Sequence, residues 1–262
     1  MNILQKIVEA KKLRITEAKK KLPFDRLKSK AESLLDRQFI FYKSIKRHQG
    51  EPLKLIAEIK KASPLKGMLK DYDIERMSDI YVNYGADAIS VITEEDFFSG
   101  SQDFLVRIRK RHPHIPILRK DFIFDEYQIY ESRVLYADAI LLIAKILTKQ
   151  TGKLLYELSK SLGMDVLFEI HDEEDLEKAF FAQADIIGIN NRDLKTFNVN
   201  INTTVRLKEQ IPEDKIVVSE SGISEKSHIT ELLKCGIDAI LVGTSIILSG
   251  NPGEKIKEFK SV

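Results

Sequence analysis

From Leu53 onward the chain repeats one pattern. A short apolar run is followed by a turn and then by apolar residues at helical spacing. The apolar runs predict strands at Leu53–Lys60, Ala88–Thr93, Ile115–Lys120, Ala139–Ile143, Val166–Ile170, Ile186–Asn190, Ile216–Ser219 and Ala239–Val242. The stretches between them predict helices over Ile74–Tyr84, Gln102–Arg111, Glu126–Tyr136, Thr148–Leu162, Glu173–Ala182, Asn202–Gln210 and Glu225–Lys234, with a last one over Glu254–Phe259. The strands are rich in Ile, Val and Leu and hardly alternate, as parallel strands covered on both faces do. Before Leu53 the pattern is helical. Ile3, Ile7, Leu13, Ile15, Leu22, Leu27, Leu34 and Leu35 recur among Lys, Arg and Glu, and Pro23 divides the region into two helices.

One phrase recurs within the repeat. Gly85-Ala86-Asp87-Ala88-Ile89, Tyr136-Ala137-Asp138-Ala139-Ile140, Gln183-Ala184-Asp185-Ile186-Ile187 and Gly236-Ile237-Asp238-Ala239-Ile240 each close a helix and open a strand, about fifty residues apart. Eight strand–helix units with such an echo predict an α/β protein, a closed (β/α)₈ TIM barrel. An open doubly wound sheet is the alternative, but its glycine-rich fingerprint GxGxxG is missing after the first strand. The expected organisation is one domain over residues 1–262, with a helical extension at 1–47 packed on a barrel at 53–262.

In such barrels the chemistry sits at the C-terminal ends of the strands. Those ends carry Glu58 and Lys60, Thr93, Lys120, Lys145 just past the fourth strand, Glu169, Asn190, Glu220 with Ser221, and Gly243 with Thr244. Residues two apart on a strand share a face. Glu58 and Lys60 therefore lie with Ile56, Lys120 with Leu118, Glu169 with Leu167, and Asn190 with Gly188 and Ile186. A single strand ending in Glu and Lys reads equally well as a structural ion pair. Several polar caps on apolar columns instead predict a catalytic pocket. Ser219-Glu220-Ser221-Gly222-Ile223 and Val242-Gly243-Thr244-Ser245 follow the seventh and eighth strands. Loops in these places commonly bind phosphate through backbone N–H groups and hydroxyls. Either loop alone would also suit ordinary helix capping.

Composition narrows the function. The 262 residues are 43% hydrophobic and 31% charged, with a formal net charge of +2, which favours neither nucleic acid nor membrane as partner. No run approaches a membrane span, and lysines and arginines interrupt the N-terminal segment from Lys6 onward. The basic residues of 1–47 fit a solvated amphipathic helix better than a nucleic-acid arm. Cys235 is the sole cysteine, which excludes an internal disulfide and fits a cytoplasmic location. His48, His112, His114, His171 and His228 lack metal-ligand spacing, so no metal is expected. The residues alone thus predict an acid–base enzyme on a phosphorylated small molecule, using lysines and carboxylates without a cofactor.

The motifs IAEIKKASPLKG at 56–67, TEEDFFSGS at 93–101, LRKDFIFDEYQIYESR at 118–133, LLIAKIL at 141–147, LFEIH at 167–171, IGINNRDL at 187–194, SESGIS at 219–224 and LVGTSI at 241–246 resemble, in order, those of the indole-3-glycerol phosphate synthases. The resemblance covers nearly the whole chain, including the helical extension, which in this family covers part of the barrel top. It implies ring closure, decarboxylation and dehydration of 1-(2-carboxyphenylamino)-1-deoxyribulose 5-phosphate in tryptophan biosynthesis, with no cofactor. It implies Lys120 as general acid, Glu169 as acid–base group for dehydration, and Lys60 near the substrate carboxylate, where it also assists as an acid. Glu58 and Asn190 would hold substrate hydroxyls and orient the lysines. Ser63, Ser221, Gly222, Gly243 and Thr244 would contact phosphate and substrate, Thr244 standing where serine is more usual. Phe98, Phe122, Leu141 and Leu194 would cradle the aromatic ring, with Arg192 and Glu220 nearby, although Phe97 competes with Phe98 for that place. A Schiff-base lyase or aldolase using Lys60 or Lys120 as nucleophile is the competing enzyme, and a barrel that only binds or scaffolds is the competing non-enzyme. The expected assembly is a monomer or weak homodimer.

Overall fold

The computed structural model describes residues 2–34, 38–65, 67–194 and 196–262. Leu35, expected on the apolar face of the extension, and Lys66, within the first motif, lie outside the described residues.

Eight parallel strands close into a barrel: β1 (Lys54–Ile59), β4 (Ala88–Ile92), β5 (Ile117–Lys120), β6 (Ala139–Ile143), β7 (Asp165–Ile170), β8 (Ile186–Asn190), β9 (Ile216–Glu220) and β10 (Ala239–Val242). β1 pairs with both β4 and β10, which shuts the cylinder. A small hairpin, β2 (Ala62–Ser63) with β3 (Gly67–Met68), follows β1 and interrupts the simple repeat. The surrounding helices are α4 (Ile74–Asn83), α5 (Gln102–Arg111), α6 (Glu126–Val134), α7 (Lys149–Ser161), α8 (Glu173–Phe181), α9 (Asn202–Lys208), α10 (Lys226–Lys234), α11 (Thr244–Ile247) and α12 (Pro252–Lys260). The predicted (β/α)₈ barrel is therefore observed. The hairpin, the 3₁₀ turn Ala144–Ile146 and short α11 were not foreseen, because two- to four-residue elements carry no periodicity.

Strand parity divides the core in two. Ile56, Leu118, Leu141, Leu167, Ile186, Val218 and Leu241 fill the barrel interior. Their neighbours Leu55, Ala57, Ile140, Phe168, Ile187 and Ile240 pack outward against the helices. Both faces of each strand are buried, which explains the continuous apolar runs.

The recurring phrase is a structural device of the barrel's N-terminal end. Its first residue is left-handed each time: Gly85 at φ 92°, Tyr136 at 62°, Gln183 at 59° and Gly236 at 73°. This closes the preceding helix, with Ala86, Ala137 and Ala184 N–H donating to Tyr81, Ser132 and Ala179 carbonyls at 2.9–3.0 Å. The aspartate then holds a neighbouring strand. Asp87, Asp138 and Asp238 accept from the backbone N–H of Leu55, Ile117 and Val217 at 2.7, 2.8 and 2.9 Å.

The described residues of 2–47 reach from one end of the barrel to the other. α1 (Ile3–Lys21) opens on a capping box between Asn2 and Gln5 and crosses the top. There Lys11 pairs with Asp121 at 2.9 Å and Arg14 with Asp96 at 2.6 Å. The chain breaks at Leu22-Pro23 as predicted, and α2 (Phe24–Glu32) descends the side against α6, with Phe24 edge-on to Tyr130 at 5.4 Å. α3 (Ile40–Ile45) then plugs the bottom. Its Phe41 and Ile45 are fully buried against the barrel interior, and Tyr42 N–H donates to Asp165 at 2.8 Å. One expected core position fails: Leu13 is 72% exposed, since it points away from the barrel between the docked faces of Lys11 and Ile15. Among the described residues no helix is long and apolar enough to cross a membrane.

Candidate active site

A cavity of about 480 Å³ opens at the C-terminal ends of the strands. Glu58, Lys60, Ser63, Phe98, Lys120, Phe122, Leu141, Glu169, Asn190, Arg192, Leu194, Glu220, Ser221, Gly222, Gly243 and Thr244 all line it, so the structure brings these residues together in one place. Thr93 and Lys145 do not line it. Thr93 follows inward-facing Ile92, so parity turns it outward, where its hydroxyl donates to Asp121 at 2.7 Å. The 3₁₀ turn ends strand parity before Lys145, which reaches Asp172 and Asp175 instead.

The floor is a charge cluster. Lys120 Nζ lies 2.5 Å from Glu220 and 3.4 Å from Glu169, and Lys60 Nζ lies 2.5 Å from Glu58. Burial alone would discharge Lys120, but Glu220, Glu169 and Glu58 outweigh it and raise its pKa, so it stays an ammonium. Burial likewise opposes the Glu58 charge, and Lys60, Lys120 and Arg192 overcome it, holding that carboxyl below its usual range. Glu220 behaves differently. Burial, with Glu169 and Glu58 adding to it, outweighs Lys120 and pushes Glu220 up to about 7. Its Oε1 is buried without a hydrogen-bond partner among the described residues, whereas Oε2 accepts from Lys120. One acid in the cluster thus gains and loses a proton near neutrality.

Two glycines make room for this cluster. A Cβ at Gly188 would lie 2.3 Å from Glu220 Oε1, and one at Gly243 would lie 2.4 Å from Glu58 Oε1. A third, Gly222, adopts φ 80° beside Ser221 at 67° and sits where a Cβ would meet Val199 at 2.1 Å. Tyrosines behind β1 hold its polar end. The Tyr81 hydroxyl donates to the Glu58 carbonyl at 3.0 Å, and the Tyr72 hydroxyl accepts from Lys60 N–H at 2.9 Å.

The walls are apolar. Phe98 and Phe122 face one another with centroids 6.1 Å apart, so Phe98 rather than Phe97 borders the cavity. Glu94, fully buried, accepts from Asp96, Phe97 and Phe98 N–H at 3.1, 2.8 and 3.0 Å and fixes that loop. Ile3, Leu4 and Ile7 of α1, together with Phe197 and Leu248, also line the cavity. None of these was expected at the site from sequence. The periodicity of α1 marks Ile3 and Ile7 as buried and says nothing of what they cover. Phe197 sits in a loop without periodic pattern.

Fold and cavity together define a class: a (β/α)₈ barrel with an acid–base cluster and glycine-bearing loops at the catalytic end. Several comparisons bear on the particular family. The family model for indole-3-glycerol phosphate synthase matches residues 4–259. An indole-3-glycerol phosphate synthase of Acetivibrio thermocellus is 44% identical over 262 residues, covering 99% of this chain and 100% of that protein. One from Campylobacter jejuni subsp. jejuni is 46% identical over 259 residues, covering 97% and 98%. The chain belongs to the indole-3-glycerol phosphate synthase family. Among solved structures, 3-hexulose-6-phosphate synthase from Salmonella typhimurium superposes with TM-score 0.65 at 17% identity, covering 80% of this chain and 97% of that one. Thiamine phosphate pyrophosphorylase from Pyrococcus furiosus gives 0.60 at 17% identity, covering 80% and 94%. These two share the fold.

Proposed function

We propose that this chain is a cofactor-independent carboxy-lyase that converts 1-(2-carboxyphenylamino)-1-deoxyribulose 5-phosphate to indole-3-glycerol phosphate in tryptophan biosynthesis. The observation that carries the reading is Lys120 set between Glu169 and Glu220, with an aromatic pair on one wall and two glycine-bearing loops on another. In this scheme Phe98, Phe122, Leu141 and Leu194 hold the aromatic ring. Ser221, Gly222, Gly243 and Thr244, with Ser63 at the rim, hold the phosphate. The two ends fix the flexible chain so that the ring carbon bearing the carboxylate reaches the ketose carbonyl carbon, and such positioning supplies much of the rate.

Lys120, held as an ammonium, gives a proton to the carbonyl oxygen as the carbon–carbon bond forms. The ring loses aromaticity in that step, and departure of carbon dioxide restores electrons to it. Lys60 faces the departing carboxylate and assists as an acid. Glu58, Asn190 and Arg192 orient the lysines and the ribulose hydroxyls. Glu169 moves the protons that accompany loss of water, after which the indole is aromatic. Glu220, pushed up to about 7, sits where it can exchange a proton with Lys120. General acid–base steps of this type contribute about 10²–10⁴-fold.

A Schiff-base mechanism needs a neutral amine. Three carboxylates around Lys120 favour its ammonium form, which argues against that route. The test is turnover of the carboxyphenylamino-ribulose phosphate, read by indole fluorescence. Lys120→Met should lose at least about 10²-fold in kcat with its circular dichroism unchanged. Near-normal turnover would refute the assignment of the acid, and a borohydride-trapped adduct would favour the Schiff base. A cytoplasmic location belongs to the same proposal and is supported by the single, unbridged Cys235.

A further inference from the structure

His171 is a buried ionisable group that the scheme above leaves without a task. It stands two residues beyond Glu169 at the end of β7, and its side chain is 7% exposed. Its Nε2 lies 3.5 Å from Glu169 Oε1, and its Nδ1 lies 3.5 Å from Asp175 Oδ2. Neither ring nitrogen has a hydrogen-bond partner among the described residues. Asp175, fully buried in the first turn of α8, is itself fixed: it accepts from His171 N–H at 3.1 Å, and Lys145 and Lys178 Nζ each lie 3.4 Å away. A neutral imidazole has one N–H and can serve only one of two flanking carboxylates. An imidazolium has two and serves both.

We propose that His171 is a positioning residue that, as an imidazolium anchored by Asp175, keeps the Glu169 carboxylate turned toward Lys120. The inference rests on the role given to Glu169 above. Asp175, His171, Glu169 and Lys120 then form a line of alternating charge from α8 to the cavity floor. Burial opposes the His171 charge, but Asp175, Glu169 and Glu220 outweigh it and raise its pKa above the ordinary value. The other groups facing the ring act through this line: Asp172 on the α8 side, Lys145 and Lys178 through Asp175, and Lys120 through Glu169. The device would give Glu169 an orientation set by its neighbour, as a group that must both take and return a proton at a fixed place requires.

The test reads His171 directly. Proton NMR of the full chain follows the ring Cε1–H signal that disappears in His171→Gln. Its midpoint should lie above 6.5, the ordinary histidine value, and should fall by about one unit or more in Glu169→Gln, where one partner charge is gone. Asp175→Asn should lower it similarly, which keeps the measurement available if His171→Gln does not fold. In steady-state kinetics, His171→Gln should remove from the kcat profile the decline that follows loss of the His171 proton at the NMR midpoint, while KM changes little. A midpoint at or below 6.5, a midpoint unmoved by Glu169→Gln, or a His171→Gln profile of native shape and lower height would each overturn the proposal. Normal turnover by Glu169→Gln would instead refute the role of Glu169, whatever the NMR titration gave.

Discussion

Replacing Lys11 by Met keeps most of the apolar stem of that side chain and deletes its charge. Lys11 is 5% exposed on α1, and its Nζ sits 2.9 Å from Asp121, which is 2% exposed on the loop after β5. Breaking a buried pair from one side costs about 3–5 kcal/mol, because the remaining charge is stranded. Here Asp121 keeps three other partners: Thr93 Oγ1 at 2.7 Å, Phe122 N–H at 2.8 Å and Arg119 Nη2 at 3.2 Å. The expected loss is therefore near the low end, about 3 kcal/mol. Urea unfolding followed by circular dichroism reads it as a lower midpoint at unchanged slope. Arg14→Gln is the control. Arg14 also ties α1 to the barrel top, through Asp96 and Glu95, but its side chain is 44% exposed, so about 1 kcal/mol or less is expected, and less still in salt. The acid limb gives a second reading. Lys11 and Arg119 overcome burial and hold Asp121 below the usual carboxylate range. Its stabilisation is complete above about pH 4 and is lost as pH falls through the depressed value. Lys11→Met should weaken that limb. A loss under about 1 kcal/mol, or one equal to that of Arg14→Gln, would refute the view that burial makes this pair the anchor of α1.

Further expectations follow from the cluster. Gly188→Ala places a Cβ 2.3 Å from Glu220 Oε1 and 3.1 Å from Leu167 Cδ1, so stability should fall by about 1–3 kcal/mol, and turnover should fall further as Glu220 leaves Lys120; a fully active variant would show that the carboxylate position is not critical. Glu220→Gln tests linkage. With its folded pKa raised to about 7 from 4.5, Glu220 binds a proton in the fold that the unfolded chain has released, so native stability falls as pH rises between those values. The variant should be flatter across that window by thermal melts at several pH values, and an unchanged slope would show that burial does not shift the acid. Glu169→Gln should accumulate a ring-closed, decarboxylated species that single-turnover mass spectrometry detects; a native product burst would contradict its part in dehydration.

Much of the barrel was legible because its signals are local. A strand buried on both faces reads as an unbroken apolar run, and parity alone places Glu58, Lys60, Lys120, Glu169 and Asn190 above their apolar columns. Parity also turns Thr93 away from the cavity, since it follows inward-facing Ile92. For Lys145 parity had no authority, because a 3₁₀ turn had already ended the strand. The repeated phrase was visible as an echo. That its first residue is left-handed and its aspartate clamps the preceding strand emerges only when the helix end and the neighbouring N–H are seen together.

The sequence by itself thus determined the fold class, the end of the barrel that carries the polar side chains, and through its motifs the family. These rest on interactions within a few residues: periodicity, parity and turn chemistry. Tertiary structure decided where the N-terminal helices go, that Lys11 finds Asp121, that Gly188 and Gly243 leave room for Glu220 and Glu58, and that His171 stands between Glu169 and Asp175. Charge and volume complementarity between elements distant in the chain depend on closing the barrel. Only the closed barrel buries these charges together, and burial beside opposite charge is what shifts their pKa values and fixes their geometry.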